Sequence, residues 1–210
     1  MSEAPSPGKR PTLAPVARDF FDRDVVVLAR ALLGCVLVHA SEEGTTAGRI
    51  VETEAYRGPE DLGAHSAGGR RTERVAAMWG EAGHAYVYFI YGMHWAFNVV
   101  AGGHDEPHAV LIRAVEPVAG VELMAKRRGL SASDRNLTSG PGKLCRAMGI
   151  DKQQYGLPLF APPLFLAAGK RRATVGRGPR IRIDYAGEWA AKPWRFWERG
   201  NPWVSVKPRD

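Results

Sequence analysis

Gly48-Arg49-Ile50-Val51-Glu52-Thr53-Glu54-Ala55-Tyr56 decides the fold class. Its β-branched residues read as a strand, and alternation puts Glu52, Glu54 and Tyr56 on one face. Ile50 shares their parity, which makes that face mixed, and Gly58-Pro59 ends the strand. Upstream, Asp22 or Asp24 can cap a helix with the apolar face Val26, Leu28, Ala29, Leu32 and Leu33, stopped by Gly34. A strand from Cys35 to His39 should follow. Downstream, a polar stretch from Glu60 to Glu73 reads as a loop with a short helix.

Then comes an aromatic hairpin, Tyr86-Val87-Tyr88-Phe89-Ile90-Tyr91, with a turn at Gly92 and a return strand from Trp95 to Val100. Val110 to Val115 is a further strand that Pro117 closes, and Arg180 to Tyr185 reads as another short one. Val121 to Arg128 has helical spacing and a basic end that suits the helix dipole. Ser139-Gly140-Pro141-Gly142-Lys143 turns into a helix, Leu144 to Met148, stopped by Gly149. Strands and helices in irregular order with hairpin connections predict an α+β fold on a mostly antiparallel, curved sheet with surrounding helices and a protruding aromatic hairpin.

The chain has 210 residues, enough for one domain with its own core. Residues 1–17, with Pro5, Pro7, Pro11 and Pro15 beside Lys9 and Arg10, read as a disordered basic tail, leaving 18–210 as the single domain. Hydrophobic residues at 45% and charged residues at 24% exclude collagenous, coiled-coil and largely disordered classes. Lys and Arg number 29 against 22 Asp and Glu, a net charge of +7 that points to a polyanionic partner. Two cysteines, Cys35 and Cys145, in unrelated contexts support neither a disulfide framework nor a structural zinc site. With no apolar segment behind a basic start, the expected location is cytoplasmic, at the nucleoid if the source is bacterial.

Glu54, at a strand end beside Glu52 and Tyr56, is a candidate general base. Arg113, amid apolar strand residues, needs a carboxylate partner, and Glu54 would supply one. The rings Tyr86, Tyr88, Phe89, Tyr91 and Trp95, with Met93 and His94 at the turn, suit a core sheet; on a basic protein they also suit wedging and stacking against bases. Gly140-Pro141-Gly142-Lys143 before a helix is a fair anion site, although no Ser or Thr follows Lys143 and it is no Walker A loop. Arg70 and Arg71 are candidate phosphate contacts. His104-Asp105-Glu106-Pro107-His108 lacks the helix that would align its imidazoles on a metal, so neither a metal nor a cofactor is expected.

The run Ile50 to Tyr56 with Gly58-Pro59-Glu60-Asp61 and Ala64-His65-Ser66, then Tyr86 to Met93, then Ser139-Gly140-Pro141-Gly142-Lys143-Leu144-Cys145, resembles the alkyladenine (3-methyladenine) DNA glycosylases. Ala186-Gly187-Glu188-Trp189 and Pro202-Trp203-Val204-Ser205 fit as well, and the similarity covers roughly Ala17 to Val206. The resemblance implies a monomeric, monofunctional, metal-free glycosylase without lyase activity. Such an enzyme flips alkylated or deaminated purines (3-methyladenine, 7-methylguanine, hypoxanthine, ethenoadenine) from double-stranded DNA and hydrolyses the N-glycosidic bond.

Position by position, the resemblance implies that Glu54 activates water and that Arg113 helps hold it, with the carbonyl of Ile183. Tyr56, His65 and Tyr88 would line the base pocket, and Asn98 would act as a selectivity element. Tyr91 would fill the stack with Met93 and His94 beside it, while Arg70, Arg71, Thr72 and Lys143 would meet the DNA backbone. The chain departs from the family pattern at Glu73 and Val75, which flank Arg74 where Pro-Arg-Asn is usual, and at Asp184 and Arg57. Two rival readings are a non-catalytic nucleic-acid-binding module on the same fold and a small-molecule nucleoside hydrolase.

Overall fold

The computed structural model describes residues 13–90 and 92–206. Within them lie eight strands: β1 (Val36–Ser41), β2 (Gly44–Arg57), β3 (Ala85–Ile90), β4 (His94–Ala101), β5 (His108–Ala119), β6 (Leu164–Ala167), β7 (Val175–Gly178) and β8 (Arg195–Glu198). The main path runs β3-β4-β5-β2-β1-β6, and β8 joins β2 to β7. Every described pairing is antiparallel. β2 is the spine. It keeps β5 along one edge, while on the other it pairs with β1 through Gly44–Arg49 and with β8 at Glu52–Glu54, so the sheet curls around its second half.

Two adjacent bulges set which side chains face where. Ile50 pairs with Val115 and Glu52 with Ala114, so Val51 is the extra residue on β2; Thr53 pairs with Ile112, so Arg113 is the extra residue on β5. A bulge shifts the period-two alternation by one residue. Ile50, Ala55, Val110, Ile112 and Val115 accordingly join the main core, and Glu52, Glu54, Tyr56 and Arg113 turn to the opposite face. The parity conflict between Ile50 and Glu52 disappears at Val51. The hairpin sorts its rings likewise: Val87 faces the main core, whereas Tyr86 and Tyr88 pack with Val75, Met78, Ala96 and Leu111 on the other side.

Helices cover the core face. In α1 (Val25–Ala31) the Asp24 carboxylate accepts from the Val26 and Val27 amides, worth about 1 kcal/mol. The buried stripe is Val25, Leu28, Ala29, Leu32 and Leu33, with Val25 in the place expected for Val26. Thr53 Oγ1 donates to Ala29 O at 2.8 Å and fixes this helix on β2. α2 (Val121–Arg128) has the expected bounds and ends in Lys126, Arg127 and Arg128. α3 (Pro141–Met148) starts one turn earlier than the apolar residues alone suggest, because Pro141 suits the first helical turn. Gly149, at φ 71°, closes it.

Three expectations need correction. Pro117 does not end its strand: it pairs with Gly48, where β5 has already left β4, so its missing N–H costs no ladder bond. Arg180 to Tyr185 is not a strand; the chain passes into a 3-10 helix, Asp184–Ala191, because the Arg180 side chain turns inward onto Asp61. The last part of the presumed tail is attached, since Pro15 bridges to Ala167 and the Val16 amide donates to Leu166 O at 2.8 Å. Residues 1–12 lie outside the described residues.

Candidate active site

A cavity of about 570 Å³ opens between the hairpin, the loop holding Gly63 and His65, the start of α3, the 181–185 segment and Ser205. Tyr56, His65, Tyr88, His94, Asn98, Arg113, Lys143 and Ile183, all expected from the sequence, line it together. Glu54 lies directly behind Tyr56 and Arg113 and is fully buried. Its Oε2 accepts from the Tyr56 hydroxyl at 2.9 Å and from Arg113 Nη1 at 3.2 Å, and its Oε1 accepts from the Ile181 amide at 2.7 Å. All three partners are donors, the surroundings of an ionised carboxylate, and Oε1 keeps one lone pair uncommitted.

Arg113 is shared. Its Nε donates to Glu52 Oε1 at 3.0 Å and its Nη2 to Ser205 Oγ at 3.3 Å. Arg195 Nε also donates to Glu52 Oε1 at 2.8 Å, and the Ser205 amide donates to Glu52 Oε2 at 2.6 Å. Two buried carboxylates thus face two guanidinium groups, which removes the large cost of an uncompensated buried charge. Burial, reinforced by Glu54, raises the Tyr56 hydroxyl well above its ordinary range, so it stays a donor.

The rings form one wall. Tyr86 and Tyr88 lie 5.3 Å apart at 31°, and His65 meets Tyr88 edge-on at 4.4 Å. His65 Nδ1 is 2.8 Å from the Tyr86 hydroxyl. Burial, aided by Arg74 and Arg70, pushes the imidazole down to about 4, leaving it neutral at physiological pH. Burial also raises the hydroxyls of Tyr86 and Tyr88. Asn98 Nδ2 donates to Tyr86 O at 3.0 Å, which fixes the amide at the cavity edge. At the α3 end, Lys143 Nζ donates to Asn136 Oδ1 at 2.8 Å, and Arg128 and Arg182 complete a cationic rim.

Gly142 in the Gly140-Pro141-Gly142 turn has a packing reason. A Cβ on Gly142 would come within 2.9 Å of His94 Cβ, so only glycine lets α3 start against the hairpin. This close approach shuts one side of the cavity.

The residues matched by the methylpurine-DNA glycosylase family model are 19–202, nearly all of the described chain. The chain belongs to the methylpurine-DNA glycosylase family. It is a DNA glycosylase, which makes DNA its substrate and hydrolysis of an N-glycosidic bond its reaction. Curated relatives of similar length share the name "Putative 3-methyladenine DNA glycosylase". One from Bacillus licheniformis is 50% identical over 93% of this chain and 98% of its own, and one from Oceanobacillus iheyensis is 49% identical over 91% and 96%. A third, from Clostridium acetobutylicum, is 47% identical over 92% and 98%.

In the glycosylase, Arg70, Arg71 and Thr72 are exposed and do not line the cavity. Arg71 pairs with Asp105 at 2.9 Å and lies 3.7 Å from the centre of the Trp79 ring. Met93 is exposed outside the cavity, and Tyr91 lies outside the described residues. Of the departures in this loop, Val75 has a packing role, and exposed Glu73 is engaged through its backbone. Val75 is buried against Met78 and the hairpin tyrosines, and the Glu73 carbonyl accepts from the Tyr155 hydroxyl at 3.0 Å. Arg57 pairs with Asp24, which ties the end of β2 to the α1 cap. Asp184 is exposed and opens the 3-10 helix.

Several groups of the site escaped the sequence reading. Glu52 was noticed only as a neighbour, yet it anchors Arg113. Arg195, Ser205 and the buried pair Asp61–Arg180 were not assigned a place at all. The rule that picks out Arg113, an arginine in an otherwise apolar stretch, does not reach Arg180, which has Arg177, Arg182 and Asp184 around it. The Ile181 amide carries no side-chain signal that any sequence rule could detect. Among the described residues no helix is long and apolar enough to cross a membrane.

Proposed function

We propose that the glycosylase takes an alkylated or deaminated purine of the 3-methyladenine, 7-methylguanine, hypoxanthine and ethenoadenine class out of duplex DNA into this cavity, and that Glu54 activates the attacking water. The observation that carries the reading is Glu54 itself: a buried carboxylate with three donors and a free lone pair, behind a ring-lined cavity of purine scale. Water bound at Oε1 gives its proton to Glu54 as its oxygen bonds to C1′. The C1′–N bond breaks with its electron pair passing to the purine, and the carboxylate steadies the oxocarbenium-like sugar. Arg113 and the Ile183 carbonyl hold the water from the side.

Tyr56, His65 and Tyr88 stack on or edge the base, on the order of 1–2 kcal/mol per ring for an electron-poor purine. Asn98 at the cavity edge is suited to reject exocyclic groups of the wrong shape. Tyr91, Met93 and His94 form the wedge that fills the stack, and Arg70, Arg71, Thr72 and Lys143 meet phosphates. The enzyme acts on double-stranded DNA as a cytoplasmic monomer. Its chemistry, written this way, draws its charges from Glu54 and Arg113 alone.

The test is single-turnover release of free base from duplexes carrying each lesion, with Glu54→Gln alongside. Release should fall by about 100-fold or more in the variant, while affinity for damaged duplex stays within a few-fold. Affinity lost in step with activity would remove Glu54 from the role of base.

A further inference from the structure

We infer that the buried pair Asp61–Arg180 is a positioning device for the reaction, holding the Ile181 amide on Glu54 Oε1 so that the carboxylate keeps its other lone pair for water. The inference rests on the reading of Glu54 as the base. Both side chains are fully buried. Arg180 Nη1 and Nη2 fork onto Asp61, Nη1 also donates to Ala55 O at 3.0 Å, and Nη2 donates to Trp189 O at 3.1 Å. The guanidinium lies 4.6 Å from the centre of the Tyr56 ring.

One side chain, on the residue directly before Ile181, therefore touches β2 next to Glu54, the Tyr56 ring, and the 3-10 helix that follows Ile181 at Trp189. Asp61 extends the link to the opposite wall, since it accepts from the Arg57 amide at 3.1 Å and the Gly63 amide at 2.9 Å, two residues before His65. Immediately after Ile181 the backbone passes through Arg182 at φ 58°, a left-handed conformation that a non-glycine residue keeps only when its surroundings impose it. Arg182 is exposed, so the constraint comes from its neighbours: Arg180 on one side and the buried Ile183 on the other. A planar fork onto a carboxylate fixes direction as well as distance, which a lysine at this position cannot do.

The groups that face Glu54 are Tyr56 from β2, Arg113 from β5 and Tyr88 from β3, with Glu52 and Arg195 behind Arg113. None of them touches Oε1, where the Ile181 amide is the partner. Loss of that amide bond removes a donor from the carboxylate oxygen that holds the water, and a purely structural role for Asp61–Arg180 would leave the pH profile of base release where it is.

The experiment is the pH profile of single-turnover base release for Arg180→Lys and Asp61→Asn, beside wild type and Glu54→Gln. A further variant carries the α-hydroxy analogue of isoleucine at 181, which replaces the N–H by an ester oxygen and leaves Arg180 intact. The expected result is release slowed about tenfold, the acid limb moved up by about one pH unit, and affinity for damaged duplex within threefold of wild type. If the pair variants fail to fold, the ester variant decides, and a wild-type acid limb there overturns the proposal. Folded pair variants with a wild-type acid limb also overturn it. Full activity in Glu54→Gln would instead remove the base on which the inference stands.

Discussion

Arg113 holds Glu54 through Nη1 at 3.2 Å while its Nε is taken by Glu52 at 3.0 Å, and both carboxylates are fully buried. With Arg195 on Glu52, the four charges cancel. Arg113→Ala leaves one of these buried carboxylates without its cation. We expect the variant to lose roughly 3–5 kcal/mol of unfolding free energy, measured by urea denaturation. Adding Glu54→Gln should restore part of that loss, since a neutral amide no longer needs the guanidinium. A double variant as unstable as the sum of the singles would show that the two residues are not coupled.

His65 gives a pH dependence whose sign can be worked out. Its ordinary value of 6.5 falls to about 4, chiefly by burial and then by Arg74 and Arg70. The unfolded chain therefore binds the proton more tightly, so this contribution is complete above about pH 6.5 and is lost as pH falls toward 4. Between pH 7 and 4.5 wild type should lose on the order of 2 kcal/mol more stability than His65→Gln. His39 and His108 are also lowered by burial, so only the difference between the two proteins isolates His65. Equal acid sensitivity would contradict the assignment.

Strands β1 to β5 and both later helices were legible because periodicity, Gly92 and Gly149 are local signals, whereas the short strands β6, β7 and β8 carry no such pattern. The cavity lining was legible through the family resemblance and through residue types that sit oddly in a strand, Glu54 and Arg113. The bulges were not. Two extra residues at Val51 and Arg113 depend on how β2 and β5 pair across some sixty residues, and no window of sequence reports that. The 180–185 segment alternates like a strand, yet its arginine finds a carboxylate on another loop, and that tertiary contact overrides propensity. The contacts of Arg71 with Asp105 and Trp79 were not legible either, since they too depend on how loops meet.

Gly142→Ala tests how the cavity is closed. The added Cβ would come within 3.0 Å of His94 Cβ and Cγ, atoms too close to their own backbone to swing aside. α3 and the hairpin must separate. The expected cost is about 1–3 kcal/mol, read by thermal unfolding, together with weaker discrimination between damaged and undamaged duplex. Unchanged stability and discrimination would mean that the contact between Gly142 and His94 is dispensable.

Met93 separates the hairpin tip from the fold. It is 69% exposed beside Gly92 at φ 64°, whereas the arm below it is held by the pairing of β3 with β4 and by Phe89 against Trp95 at 4.8 Å. Met93→Ala should therefore leave stability within about 0.5 kcal/mol. If the tip wedges into the stack, the variant should excise a lesion in a stable base pair more slowly, and a lesion in a mismatch less so, because a mismatched base is already cheaper to extrude. Equal slowing on both substrates would assign Met93 to binding rather than extrusion. Unchanged rates on both would take it out of the DNA interface and leave the wedge to its neighbours in the turn.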